Sequence, residues 1–364
     1  MIFKKLLLLI CLLSTAYCQL ALAQQSSSAS LSTPDSNGID TNYVKNYKNK
    51  LVIGLWQSER RFEILIDQKF TQDSVSSAIN YIANSNQVSG ISLDYDIIGL
   101  AFGYRSLPGG NKRTGSTDYL DLGLNVNTRR FRLENSFKRY TGFYDKNSAN
   151  YIDPFTDSTN YYQDPSMNLR VIKSKLLYTF NKRKFALSAA YANTKRQIKS
   201  SGSWLLVGNF YALNLYSDSS IIPLALRPKY GLTWDGLNRM NVYAYSAGAG
   251  GTYTLVFLKR FYLNVLLSVG LESQSRHFYT APENAHIKYW KVWSAADWRS
   301  SIGYNGRKFF MRVSSIYDLN NYESSALKFE MKFIAASFDF GYRFNFKAPK
   351  PYRKFQETKL YKML

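Results

Sequence analysis

The chain has 364 residues, with 47 Lys+Arg against 25 Asp+Glu for a net charge of +22, and 16% of its residues are aromatic, 29 Tyr and 23 Phe among them. Its 45% hydrophobic content can bury enough apolar surface to fold, so the charge does not signal disorder. Beyond the N-terminal segment no apolar run reaches the about 18 residues that a spanning helix needs, which excludes a polytopic helical membrane protein.

Residues 1–23 read as a secretory signal. Lys4 and Lys5 form its basic start, Leu6 to Leu13 its apolar stretch, and Ala21-Leu22-Ala23 a small-x-small cleavage site. Bulky Tyr17 disfavours Cys18 as a lipidated cysteine. Cys11 and Cys18, the only cysteines, both fall in this segment, so the exported chain carries no disulfide, thiolate ligand or cysteine nucleophile. Export also sets nucleic acid aside as the partner behind the charge. Residues 24–50 form a polar, Ser-rich leader, too short for a separate globular plug, which argues against an energy-coupled transporter.

From about Leu51 the chain alternates apolar and polar residues, the period of a strand with one apolar and one wet face. Leu120, Leu122, Leu124 and Val126 share one face; so do Phe131, Leu133, Asn135 and Phe137, then Phe185, Leu187, Ala189 and Tyr191. The longest case is Phe261, Leu263, Val265, Leu267, Val269 and Leu271. Phe309, Met311 and Val313 follow. Short connections at 96–99, 128–129, 181–184, 259–260 and 305–306 alternate with longer ones at 68–87, 107–116, 145–167, 199–203, 217–239, 279–285 and 320–325. Short turns at one end and long loops at the other are the layout of a transmembrane antiparallel outer-membrane β-barrel. A soluble β-sandwich also alternates, but has shorter strands and less reason for aromatic residues such as Tyr104, Tyr140, Trp290 and Tyr304 near segment ends.

Thirteen strands are visible, and parity fails across 217–239, where a hidden strand near Ile221–Leu226 would give fourteen. In the last segment Leu327, Phe329, Met331 and Phe333 are in one phase and Phe338, Phe340, Tyr342 and Phe344 in the other, which predicts a bulge or turn near Ile334-Ala335. The expected count is 12–14. The barrel occupies residues 51–346, and residues 347–364 form a basic, solvated periplasmic tail.

The run from Asp339 to Phe346, with Asp339, Gly341, Phe344 and Phe346 as its marks, looks like the terminal signal of outer-membrane barrels and implies recognition by the barrel assembly machinery. Further similarity lies in Asp40-Thr41-Asn42-Tyr43, Tyr119–Asp121, Tyr140-Thr141-Gly142-Phe143-Tyr144, Arg196–Leu206 and Asp218–Pro223. Together these segments resemble the domain-of-unknown-function family numbered 4421, exported barrel-like proteins of Bacteroidetes. The resemblance covers about residues 40 to 346 and implies an outer-membrane location; the family has no established activity, so it assigns no functional residues.

His277 and His286 are the only histidines and flank one connection at the long-loop end. One of them could serve as a general base, with Ser273, Ser275, Glu283 or Asp297 as partner. No histidine-x-serine element is present, and the favoured reading is loop residues. Two histidines without clustered carboxylates predict no metal site, and no cofactor is expected. The glycine-rich stretch Ser246–Gly251 lacks the Lys-Ser/Thr of a phosphate loop and fits a strand that bends or accommodates a large neighbour.

Basic short turns, Arg129-Arg130, Lys182-Arg183-Lys184, Lys259-Arg260 and Arg307-Lys308, would meet anionic headgroups or acidic partners. Cations such as Lys173, Lys175, Lys328 and Lys332 should face the lumen, where they either favour anions or pair internally and fill it. The sequence therefore reads as a non-enzymatic outer-membrane barrel in contact with lipid, a passive channel for small anionic or polar solutes. A lipid-modifying enzyme using a rim histidine and an envelope scaffold are the alternatives.

Overall fold

The computed structural model describes residues 38–69, 77–85, 87–106, 111–281, 285–359 and 361. The expected signal peptide, with both cysteines, lies outside them, as do most of the leader and Glu283. The described residues from Asn42 onward form one compact unit.

The described strands are β1 (Val44–Asn46), β2 (Lys50–Gln68), β3 (Ile79–Ile82), β4 (Gln87–Tyr95), β5 (Ile98–Arg105), β6 (Asp118–Asn127), β7 (Phe131–Asp145), β8 (Gln163–Thr179), β9 (Lys195–Gln197), β10 (Ser201–Tyr216), β11 (Leu237–Phe257), β12 (Phe261–Thr280), β13 (Ala285–Asn305), β14 (Phe309–Glu323) and β15 (Leu327–Asn345). β2, β4–β8 and β10–β15 pair antiparallel in sequence, and β15 returns to β2 from Leu327–Gln68 to Asn345–Lys50. The result is a closed barrel of twelve strands, with the start of β2 and the end of β15 together at one rim, the termini rim. β4 to β6 are short, so the far halves of β2 and β7 would lack a neighbour; β3 fills that gap, pairing with Glu63–Ile66 on one side and Tyr144–Asp145 on the other.

The outer surface carries the apolar belt that the alternation predicts. On β12 the residues Phe261 to Leu271 at odd positions are exposed, while Tyr262, Asn264, Leu266 and Ser268 are buried inside. At about 3.3 Å per residue and a tilt near 40°, this stretch stands roughly 25 Å tall, the height of a bilayer's hydrocarbon band. Trp204 lies over Gly251, its register partner on β11, where a Cβ would make an ordinary contact with the indole at 3.7 Å.

The strand expected at Phe185–Tyr191 is instead part of a single connection, 180–200. Leu187–Tyr191 forms a short helix, α1, and Lys195–Gln197 pairs with Val44–Asn46. Removing this strand restores parity and yields twelve, so none is needed at Ile221–Leu226, where Leu224–Leu226 is a 3₁₀ turn. The bulge expected near Ile334-Ala335 is absent as well: β15 is continuous on both sides. Its odd positions point inward throughout. Leu327, Phe329, Met331 and Phe333 are buried in the far half of the lumen, whereas Phe338, Phe340 and Phe344 are exposed on the belt. The apolar face changes sides because the barrel's interior is itself apolar at the far end.

That interior is filled by the connection 217–236, which turns into the mouth through α2 (Arg227–Tyr230) and α3 (Leu232–Asp235). Ile221, Ile222 and Leu226 are fully buried there against Ile64, Met240 and Phe278. Trp234 meets Phe278 edge-on at 5.5 Å. Two tyrosine hydroxyls tie the loop down: Tyr81 donates to the Ile221 carbonyl and Tyr230 to that of Ser77, each at 2.7 Å.

At the termini rim, α1 lies inside the wall with Ala189 and Ala190 buried. Its last carbonyls have no helical donor and are met by lumen side chains. Arg312 donates to Ala190 O at 2.7 Å and Tyr191 O at 3.1 Å, and Asn305 to Ala189 O. Arg343 secures the following turn through Asn193 O.

Candidate functional site

Between the two caps the lumen holds a chamber with two cavities, of about 150 and about 260 Å³. Its charges, projected inward from alternate positions, are largely paired. Arg60 meets Asp121 at 2.9 Å, Glu134 is shared by Arg132 at 2.6 Å and Arg299 at 2.7 Å, Lys175 meets Asp297 at 2.5 Å, and Arg312 meets Asp339 at 2.8 Å. Of the two outcomes expected for lumen cations, internal pairing is the one observed for Lys175, and Lys173 reaches Asp318 at 3.4 Å. Lys328 and Lys332 both pair with Glu330, but from the even, outward positions of β15 rather than the lumen. Lys138 differs. It lines the smaller cavity 4.5 Å from the Phe333 ring, with no carboxylate within 4 Å among the described residues. In the same cavity the amide oxygens of Asn209 and Asn321 are buried without a hydrogen-bond partner among the described residues.

The wall beside that cavity is incomplete. β13 pairs with β14 only from Asn305–Phe310 to Trp298–Tyr317; above that rung β13 continues to Ala285 on β12 alone, and β14 continues to Glu323 on β15 alone. In the β12–β13 register Trp298 is level with Leu267, so the ladder ends inside the apolar belt, below Val269 and Leu271. Ala295 and Asp297 on one edge and Asp318 and Asn320 on the other line the cavity. Farther out, side chains replace the missing ladder. Buried Arg276 donates to Glu323 O at 2.7 Å, Lys291 pairs with Glu323 at 2.7 Å, and Tyr289 donates to Ser325 Oγ at 2.7 Å. The seam is thus zipped below, laced above and open between.

His277 and His286 come together on the outer face. They project from β12 and β13 just above the belt, with His277 Nδ1 2.9 Å from His286 Nε2. Ser275 Oγ lies 3.0 Å from His277 Nε2, since residues two apart on a strand share a face. Of the expected partners Ser275 is therefore present, whereas Asp297 is inside the lumen. His286 stacks on Tyr279 with ring centroids 4.6 Å apart.

The basic turns sit at the termini rim: Arg129 and Arg130 between β6 and β7, Lys259 and Arg260 between β11 and β12, Arg307 and Lys308 between β13 and β14. Lys182, Arg183 and Lys184 belong to the 180–200 connection, with Lys184 Nζ 5.0 Å from the Tyr43 ring. Of the terminal signal, Asp339 faces inward to Arg312 and Phe344 outward. Gly341 is where Phe310 packs: a Cβ would stand 2.4 Å from its Cζ and 2.6 Å from Ile53 O. Phe346 packs edge-on against Tyr95.

The tail is not simply solvated. Lys350–Glu357 forms a helix, α4, that folds back on the β4–β5 turn, where Asp96 accepts hydrogen bonds from Tyr352 and Gln356 at 3.0 Å and from Tyr361. Burial and the Asp96 charge push the Tyr352 hydroxyl above the usual tyrosine range. The lumen arginines and Lys138 had a legible alternation in sequence; the seam had no local signal at all.

Residues 38–344 match the model of a family described as a domain of unknown function (DUF4421). The chain belongs to this family. The DUF4421 match spans the strands from β1 nearly to the end of β15 and stops before the tail helix. No curated protein sequence matches this DUF4421 chain. Among solved structures it is similar to the toluene transporter TodX of P. putida, at 7% identity over 82% of this chain and 91% of that one, TM-score 0.28. The outer membrane protease OmpT of Escherichia coli aligns at 7% identity over 82% and 98%, TM-score 0.36. The attachment invasion locus protein Ail of Yersinia pestis aligns at 9% identity over 82% and 99%, TM-score 0.20.

Proposed function

We propose that this protein is an outer-membrane barrel whose lumen is a closed binding chamber, entered from the membrane through the β13–β14 seam. The observation that carries this reading is the end of the ladder at Trp298–Tyr317, inside the apolar belt and beside a cavity lined by Lys138, which forms no direct ion pair among the described residues. Both mouths are occupied by packed chain, which argues against the passive pore that the sequence left open. A cavity of about 150 Å³ holds a molecule the size of one aromatic ring. Lys138 supplies a charge for an anionic or strongly accepting group, and the free amide oxygens of Asn209 and Asn321 supply acceptors for a donor. The ligand class is thus a small, membrane-soluble molecule with one acidic group.

Benzoate is a suitable probe. It should bind the barrel reconstituted in lipid nanodiscs, and Lys138→Met should weaken binding by about tenfold, the loss of one charge-assisted hydrogen bond. Ala295→Cys with Asn320→Cys places a cysteine on each edge of the seam. Their oxidation should slow benzoate entry and reduction should restore it. Entry that is unaffected by the cross-link, or stepwise conductance of the unmodified protein in planar bilayers, would overturn the reading.

A further inference from the structure

Ser275, His277 and His286 form a hydrogen-bonded chain outside the chamber, which the proposed function does not use. Ser275 Oγ lies 3.0 Å from His277 Nε2, and His277 Nδ1 lies 2.9 Å from His286 Nε2. This is the order of a nucleophile, a base and a group that orients the base. In the tautomer that catalysis requires, His277 carries its proton on Nδ1, donates it to His286, and leaves Nε2 free to take the serine proton.

The position of the chain selects its substrate. On β12 the outward residues are apolar through Leu271, and Ser273, Ser275 and His277 come next. Ser275 therefore stands at the top of the belt, where the carboxylic esters of bilayer lipids join acyl chain to headgroup. Its ladder neighbours are aromatic: Trp290 across on β13 and Tyr243 across on β11, both exposed, as befits an interfacial girdle. Lys288, the ladder partner of His277, shares its outward face and supplies a positive charge beside it.

We propose that Ser275, His277 and His286 hydrolyse carboxylic esters of lipids in the leaflet facing the long-loop end. Ser275 Oγ bonds to the ester carbonyl carbon as its proton passes to His277 Nε2, and the oxyanion forms beside the Lys288 ammonium. Collapse breaks the bond to the alcohol oxygen, which leaves with the proton from His277. Water then gives a proton to His277 and attacks the acyl-serine. A fatty acid is released, and the proton returns to Ser275. Ser275 and His277 are the catalytic residues; His286 positions the base.

The test uses the full-length folded barrel in detergent, its folding checked by heat-modifiable gel mobility. A fluorophosphonate probe should label Ser275, located by peptide mass spectrometry. Vesicles of dioleoylphosphatidylethanolamine and vesicles of lipid A supply the two sources of acyl ester, and fatty acid should appear from at least one of them. Ser275→Ala should abolish release, and Ser273→Ala, a neighbour outside the chain of hydrogen bonds, should leave it unchanged. His277→Ala should lower it by about a hundredfold or more. His286→Ala should lower kcat with little change in KM, and His286→Gln, which keeps an acceptor, should recover part of that loss. If Ser275→Ala does not fold, labelling of the unmodified protein decides. No labelling at Ser275, or no fatty acid from either lipid, would overturn the proposal.

Discussion

Two seams of this barrel invite comparison. The one between β15 and β2 joins strands from opposite ends of the chain, yet it is paired without interruption from Leu327–Gln68 to Asn345–Lys50. The one between β13 and β14 joins hairpin neighbours across a short turn, yet its ladder stops at Trp298–Tyr317. Proximity in sequence does not decide where a barrel is tight. The long-range seam must carry closure, because an unpaired backbone edge inside a bilayer costs several kcal/mol per unmet group. The local seam can open because guanidinium, ammonium and phenol groups from Arg276, Lys291 and Tyr289 hold its far end.

Proline separates the two seams most sharply. Along the middle of β15 each residue is paired with both β14 and β2, so Phe338→Pro or Ser337→Pro should prevent the folded barrel from forming, seen as loss of heat-modifiable mobility. On β13 between Trp290 and Ala296 only the β12 side is paired. A proline scan there should alternate, with every second substitution tolerated. Uniform failure along both strands would mean that β13 and β14 pair fully in the membrane.

A smaller effect tests the far cap. Trp234→Ala removes the indole that meets Phe278 and should cost about 3 kcal/mol by analogy with other buried aromatic truncations, lowering the temperature at which the compact gel form is lost. The smallest effect concerns the tail. Tyr352→Phe removes one of three donors to Asp96, worth about 1 kcal/mol, and should speed proteolysis within 347–364 by a few fold without altering the barrel.

Much of this architecture was legible from period alone. The outward series of β12, β6, β7 and β14 follow from the alternation, because belt residues are mostly apolar and their neighbours polar. Phe185 to Tyr191 misled: its apolar residues also alternate, but Leu187-Ser188-Ala189-Ala190 is rich in good helix formers, and the segment lies inside the wall rather than in it. β15 misled for another reason. The alternation assumes one wet face along the whole strand, and the loop 217–236 makes the far lumen apolar, so Phe333 and Phe338 both satisfy their surroundings on opposite faces. At the rim, the Ser275–His277 spacing was visible, whereas the approach of His286 depends on the register that pairs Thr280 with Ala285 across the hairpin. The open seam is a statement about pairing between strands, and no single strand's sequence carries it.

The central claim is that the chamber communicates with lipid rather than with water. A bimane fluorophore on Asn320→Cys, at the chamber edge of the seam, reads this directly in reconstituted membranes. Acyl chains brominated near the headgroup should quench it and aqueous iodide should not. Quenching by iodide with none from the brominated lipid would contradict the account.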